Sequence, residues 1–164
     1  MSCRKEATQM PYSRLAAVLA ILMLAALPVL AKANFSGDWR LNVSKSEFGQ
    51  MPAPNSMTQK IAHEAPRLKV AAKSSSERGD FEYQFNFTTD GKECANEIRG
   101  NPSRSTLKWD GDALVIESKS RFGDSEFTIR DKWTLSADGK TLTMERHFSS
   151  AMGEGDQKLV LEKQ

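Results

Sequence analysis

Apolar and polar side chains alternate with a period of two over roughly a hundred residues of this chain, and the alternation breaks only at short turns containing Asp, Gly or Pro. Phe81, Tyr83, Phe85 and Phe87 alternate with Glu82, Gln84, Asn86 and Thr88. Phe127, Ile129, Asp131, Trp133 and Leu135 alternate with Thr128, Arg130, Lys132 and Thr134. In a strand this period puts one set on each face, leaving one face to bury and one to wet. About ten such runs are expected, near residues 37–43, 56–63, 67–74, 80–89, 92–99, 103–110, 113–122, 126–135, 140–149 and 156–163. No segment carries a convincing helical period.

Short turns and the requirement that apolar faces meet set the pairing. Taking Asp90-Gly91 as a two-residue hairpin loop predicts Phe87 opposite Cys94, Phe85 opposite Asn96 and Tyr83 opposite Ile98. The same parity predicts Trp109 opposite Leu114 and Trp133 opposite Met144, because a slip of one residue would turn these aromatics out to water. An antiparallel meander with one apolar face and no helix to cover it is expected to close on itself as a barrel. Tight connections at 64–67, 90–91, 110–113 and 137–140 then gather at one end. The longer ones at 44–55, 75–80, 99–102, 123–125 and 149–155 gather at the other, which is the expected mouth.

Residues 1–33 stand apart from this pattern. Leu15 to Ala31 lacks any charge, follows Arg4, Lys5 and Arg14, and ends at the small residues Ala31 and Ala33. This is the arrangement of a cleaved secretory signal, and it predicts a secreted or periplasmic protein with its mature end at Lys32 or Asn34. A retained membrane anchor is the alternative, at the short limit for a spanning helix. Removing Arg4, Lys5, Arg14, Lys32 and Glu6 from 23 basic and 21 acidic residues leaves 19 and 20, a net charge of −1. With no basic run, neither nucleic acid nor a membrane surface is an expected partner of the mature chain. Residues 34–164 are one domain's worth of chain, and with Cys94 as their single cysteine they cannot form an internal disulfide.

Phe35-Ser36-Gly37-Asp38-Trp39-Arg40-Leu41 resembles the opening of the calycin superfamily, where lipocalins carry Gly-x-Trp and fatty-acid-binding proteins a Phe-x-Gly-x-Trp-Lys-Leu sequence. The end, Leu159-Val160-Leu161-Glu162-Lys163, is similar too. A ten-strand count sits nearer the fatty-acid-binding branch, and the chain also resembles secreted bacterial lipocalin-like proteins of undefined role. The resemblance implies an all-β, up-and-down, lipocalin-like barrel with Trp39 as a plug at its closed end. Two features depart from it. Residues 44–55 contain Gly49, Pro52 and Pro54 and cannot form the two-helix lid of the fatty-acid-binding branch, and the disulfides usual in lipocalins are missing.

Polar residues on the inward face are the candidate site. The predicted register sets Ser118 opposite both Ser105 and Asp131, and Asp131 opposite Arg146, giving one internal row of Ser105, Ser118, Asp131 and Arg146 that Gln157 can extend. Arg146 needs an anion, and Asp131 is the nearest. The row can be a closed ion pair with serine partners, or it can leave Arg146 donors for a ligand head. Tyr83, Phe85 and Trp133 are the expected apolar lining. A monomeric barrel binding a small amphipathic or hydrophobic molecule, with no cofactor or metal, is the first reading. The second is a filled barrel that binds a protein through its mouth loops. His63 and His147, on different hairpins, do not form a metal site or a triad, and Cys94 lacks a base. An enzyme using Asp131 as base lacks a second acid, a nucleophile and a metal ligand.

Overall fold

Ten strands form a single antiparallel sheet: β1 (Gly37–Leu41), β2 (Ser56–Glu64), β3 (Arg67–Ser76), β4 (Gly79–Thr88), β5 (Glu93–Ile98), β6 (Asn101–Asp110), β7 (Ala113–Phe122), β8 (Ser125–Leu135), β9 (Thr141–Ser150) and β10 (Gly153–Lys163). The computed structural model describes residues 32–164, so the apolar run at 15–31 lies outside the described residues. Their spatial order is β4-β3-β2-β1-β10-β9-β8-β7-β6-β5. Strands adjacent in sequence pair throughout except β4 with β5, and β1 pairs with β10, so the nearly closed barrel has its one interruption between β4 and β5.

The period-two pattern builds this sheet directly. On β2, Gln59, Ile61 and His63 are buried while Thr58, Lys60, Ala62 and Glu64 are exposed. Two predicted registers are found, Trp109 opposite Leu114 and Trp133 opposite Met144. Leu68, Leu107, Leu114, Leu142 and Leu161 are completely buried, each stabilising the barrel by about 1.5–3 kcal/mol relative to an exposed position.

Two predicted registers are corrected. Asp90-Gly91 does not join a paired hairpin, so Phe87–Cys94, Phe85–Asn96 and Tyr83–Ile98 are not ladder partners. The Asp90 carboxylate instead closes a local turn, accepting from Thr88 Oγ1 at 2.9 Å and the Lys92 N–H at 3.2 Å, while the Thr89 N–H is held by the Pro66 carbonyl at 2.7 Å. Side chains bridge the seam. The Asn86 N–H donates to Asn96 Oδ1 at 2.7 Å, Asn96 Nδ2 donates to the Asn86 carbonyl at 3.1 Å, and the Thr88 N–H donates to Cys94 Sγ at 3.1 Å. The second correction is between β7 and β8, where Ser118 faces Ile129 and Asp131 faces Ile116. The tighter turn, with Phe122 opposite Ser125, displaces the register by two residues and leaves the inward face unchanged.

The segment before β1 closes one end. Phe35 is completely buried. It stacks on His63 and Trp109 at ring-centre distances of 5.8 and 6.0 Å and meets Trp133 edge-on at 5.7 Å. Trp39 is packed there as well and donates from Nε1 to the Phe35 carbonyl at 2.9 Å. Burial pushes the His63 imidazole below its ordinary pKa. At the other end, residues after a single 3-10 turn (Val43–Lys45) form a strap. The Glu47 and Lys158 backbones exchange bonds of 2.7 and 2.8 Å, laying the strap on β10 in place of a helical lid.

Candidate functional site

Asp131 on β8 and Arg146 on β9 are directly opposite in an inward-facing pair. Arg146 donates from Nε to Asp131 Oδ1 at 2.7 Å and from Nη2 to Oδ2 at 2.8 Å, a two-bond clasp in which geometry and charge reinforce each other. The Asp131 side chain is 9% exposed and that of Arg146 29% exposed. Attraction to the Asp131 carboxylate outweighs desolvation and raises the guanidinium pKa, with a smaller contribution from the Tyr83 phenol across the barrel. The arginine is therefore charged, and the pair together is neutral.

Of the five N–H groups on a guanidinium, the clasp uses two. Among the described residues no other acceptor lies within hydrogen-bond reach of Arg146. The Arg146 side chain also borders open space. A cavity of about 320 Å³ lies against Arg146, lined by Met57, Gln59, Tyr83, Phe85, Phe127 and Leu159 among others. It continues toward the mouth as a space of about 290 Å³ beside Met51, Pro52, Arg78 and Phe81. On the other side a pocket of about 90 Å³ runs down past Arg146 and Asp131 to Ser103, Ser118 and Trp133. Ligand sites typically occupy roughly 300–1,000 Å³, so the central cavity is at the small end of that range.

The sequence-predicted residues divide between two places. Arg146, Tyr83 and Phe85 are brought together around the central cavity, and Asp131, clasped to Arg146, borders the small pocket beside it. Ser118 borders only the small pocket, and its hydroxyl is 2.8 Å from that of the deeply buried Ser105, so these two satisfy each other. The proposed row is thus two offset rows: Ser105 with Ser118, and Asp131 with Arg146 and, opposite it on β10, Gln157. Trp133 is 3% exposed and belongs to the packed closed end, touching only the small pocket. A second serine pair, Ser120 Oγ to Ser103 Oγ at 2.9 Å, lies one inward step away toward the mouth.

Gln59 is the residue that sequence reasoning missed. It sits on β2 between the inward-facing Met57 and Ile61, is 8% exposed, and lines both the central cavity and the small pocket. Its parity with Met57 and Ile61 was the available signal. Among the described residues no group of His, Cys, Asp and Glu side chains is placed to hold a metal ion.

No protein-family model and no curated protein sequence matches this chain. Solved structures do match its backbone. A secretory abundant heat soluble protein from Ramazzottius varieornatus superposes with a TM-score of 0.54 at 16% identity, covering 79% of this chain and 94% of that one. The zebrafish ileal bile acid-binding protein complexed with cholic acid gives a TM-score of 0.56 at 15% identity, covering 79% and 98%. Human cRBP IV gives 0.53 at 17% identity, covering 80% and 99%. At these identities the likeness is one of backbone fold, that of a small antiparallel β-barrel.

Proposed function

We propose that this calycin-type barrel binds a small amphipathic molecule, with an oxygen-bearing head at Arg146 and an apolar body lying along Met57, Tyr83, Phe85 and Phe127 toward the mouth. One observation carries the reading. Arg146 is a charged, largely buried arginine whose charge Asp131 balances, yet the clasp leaves some of its N–H donors unused and its side chain borders an open, mostly apolar cavity. A clasp serving stability alone needs no such space beside it, since a filled interior would supply more packing. A solved structure of the same fold contains cholic acid, itself an amphipathic acid. We further propose export, with residues 1–33 as the removed signal and the barrel acting as a binding protein, not an enzyme, outside the cytoplasm.

Titration with a hydrophobic dye and its displacement by dodecanoic acid, read by dye and tryptophan fluorescence, tests the binding. Displacement at micromolar concentration is the expected result. Absence of any uptake overturns the interior reading and turns attention to the loops at 44–55 and 149–155 as a protein-binding surface.

A further inference from the structure

We infer that the molecule taken up by this barrel carries a hydroxyl group on its body, separate from the head held by Arg146, and that Gln59 recognises it. The inference rests on the interior-binding reading above and names a class of ligand within it.

Gln59 is more than nine-tenths buried and lines the cavity that Arg146 lines, but β1 and β10 separate their strands, so the two side chains address different points of one occupant. Its Oε1 is buried without a hydrogen-bond partner, and among the described residues nothing donates to or accepts from the carboxamide. A buried amide left in this state costs about 1–3 kcal/mol. Two residues further along the same face Ile61 is 3% exposed, so this side of β2 accommodates an aliphatic residue without that cost.

The unmet bonding capacity sets the chemistry of the partner. No hydrogen bond fixes the carboxamide, so an occupant can be met by its oxygen, which accepts, or by its nitrogen, which donates. A hydroxyl both donates and accepts, and satisfies either orientation. A second carboxylate can only accept, and would bring another negative charge into a compartment where Asp131 already balances Arg146. A plain hydrocarbon leaves the carboxamide unpaired. The neighbouring serines do not compete for this role, because Ser103 bonds Ser120 and Ser105 bonds Ser118.

The test is competitive displacement of a bound hydrophobic dye by dodecanoic acid and by its monohydroxy isomers, the hydroxyl walked along the chain, with the unaltered protein and with Gln59→Met. At least one isomer is expected to bind about three- to tenfold more tightly than the parent acid, the worth of one ordinary hydrogen bond. In Gln59→Met that ratio is expected to fall to about one. If the parent acid displaces the dye but no isomer improves on it, or if the preference survives in Gln59→Met, the inference is overturned and the interior-binding reading stands. If no acid displaces the dye, both fall. Gln59→Leu, measured in parallel, is expected to lose the preference in the same way and decides the assignment to Gln59 should Gln59→Met fail to fold.

Discussion

The Lys163 ammonium stands 5.4 Å from the ring centre of Trp39, its partner across the β1–β10 ladder, and its stem occupies the space a side chain at residue 37 would need. A Cβ on Gly37 would come within 2.6 Å of Lys163 Cε, and its φ of +149° is one that L-residues rarely adopt. The Gly-x-Trp opening and the terminal lysine are thus one packing unit. Gly37→Ala is expected to destabilise the barrel by about 1–3 kcal/mol through strain and overpacking. Adding Lys163→Ala should recover the steric share and leave the backbone share. Urea melts of both single variants and the double measure the coupling, and strictly additive effects would refute the shared-space account.

Removing the carboxylate of the Asp131–Arg146 clasp leaves a guanidinium without its anion in a largely enclosed site. Asp131→Ala is expected to cost about 3–5 kcal/mol, and Asp131→Leu combined with Arg146→Met to recover much of that. Equilibrium denaturation followed by tryptophan fluorescence provides the comparison. Changes of only a few tenths of a kcal/mol in either single variant would mean that water screens the pair.

Ligand affinity should respond to Arg146 selectively. Arg146→Met keeps most of the side-chain volume and removes every donor. Once shown to be folded, it is expected to bind dodecanoic acid about 1.5–3 kcal/mol more weakly, the scale of a hydrogen bond to a charged group, while dodecane-like neutral probes lose far less. Parallel losses for both classes would place the acid's head elsewhere.

Stability should fall in mild acid because of His63. Burial disfavours its charged form, so the unfolded chain takes up the proton first, near the ordinary value of 6.5, and the folded chain only at lower pH. Stability from this group is complete above about pH 6.5 and is lost as the pH drops through the lowered folded value. Protonation also removes the acceptor that Nδ1 offers the Phe35 N–H at 3.4 Å. His63→Phe should flatten this part of the stability profile. Denaturant midpoints measured from pH 7.5 to 4.5 test it, and an unchanged slope in the variant assigns the acid sensitivity to other groups.

The seam between β4 and β5 should show in amide exchange. Asn96→Ala deletes both side-chain bonds to Asn86 and is expected to speed exchange at the Asn86 amide while amides in the β8–β9 ladder keep their protection. Residue-resolved hydrogen exchange by NMR distinguishes this from general loosening.

Much of this fold was legible because period and turn length act together. Trp109 and Leu114 could be matched because only a short turn separates them, and a one-residue error would have exposed the indole. The same logic is blind to a shift of two, which preserves the face. That is how Ser118 came to be placed against Asp131 when Ile129 is its partner. The seam was not legible at all, because the Asp90-Gly91 signal is local. It cannot report that Pro66 holds Thr89, or that Asn96 bonds with its side chain where a backbone ladder was expected. The clasp was visible as an arginine and an aspartate of matching parity on adjacent strands. Gln59 lay at an equally inward position, and only the cavity gives its unpaired amide meaning.

A ring of strands joined everywhere by backbone ladders has a fixed circumference, since any widening breaks a column of amide bonds at once. Here nine ladders carry the sheet from β4 round to β5, and the last joint is made by one asparagine and one thiol. The circumference can lengthen there while every ladder stays whole, at the cost of only a few hydrogen bonds. Phe81, Tyr83, Phe85 and Phe87 lie along the inner side of the strand that borders this joint at successive ring-centre spacings of 6.5, 6.3 and 5.3 Å, the last three rings stacked and Phe81 tilted against them. Whatever widens the barrel at this joint therefore shifts that row of rings while leaving all nine ladders paired, as a hinged stave shifts in a cask.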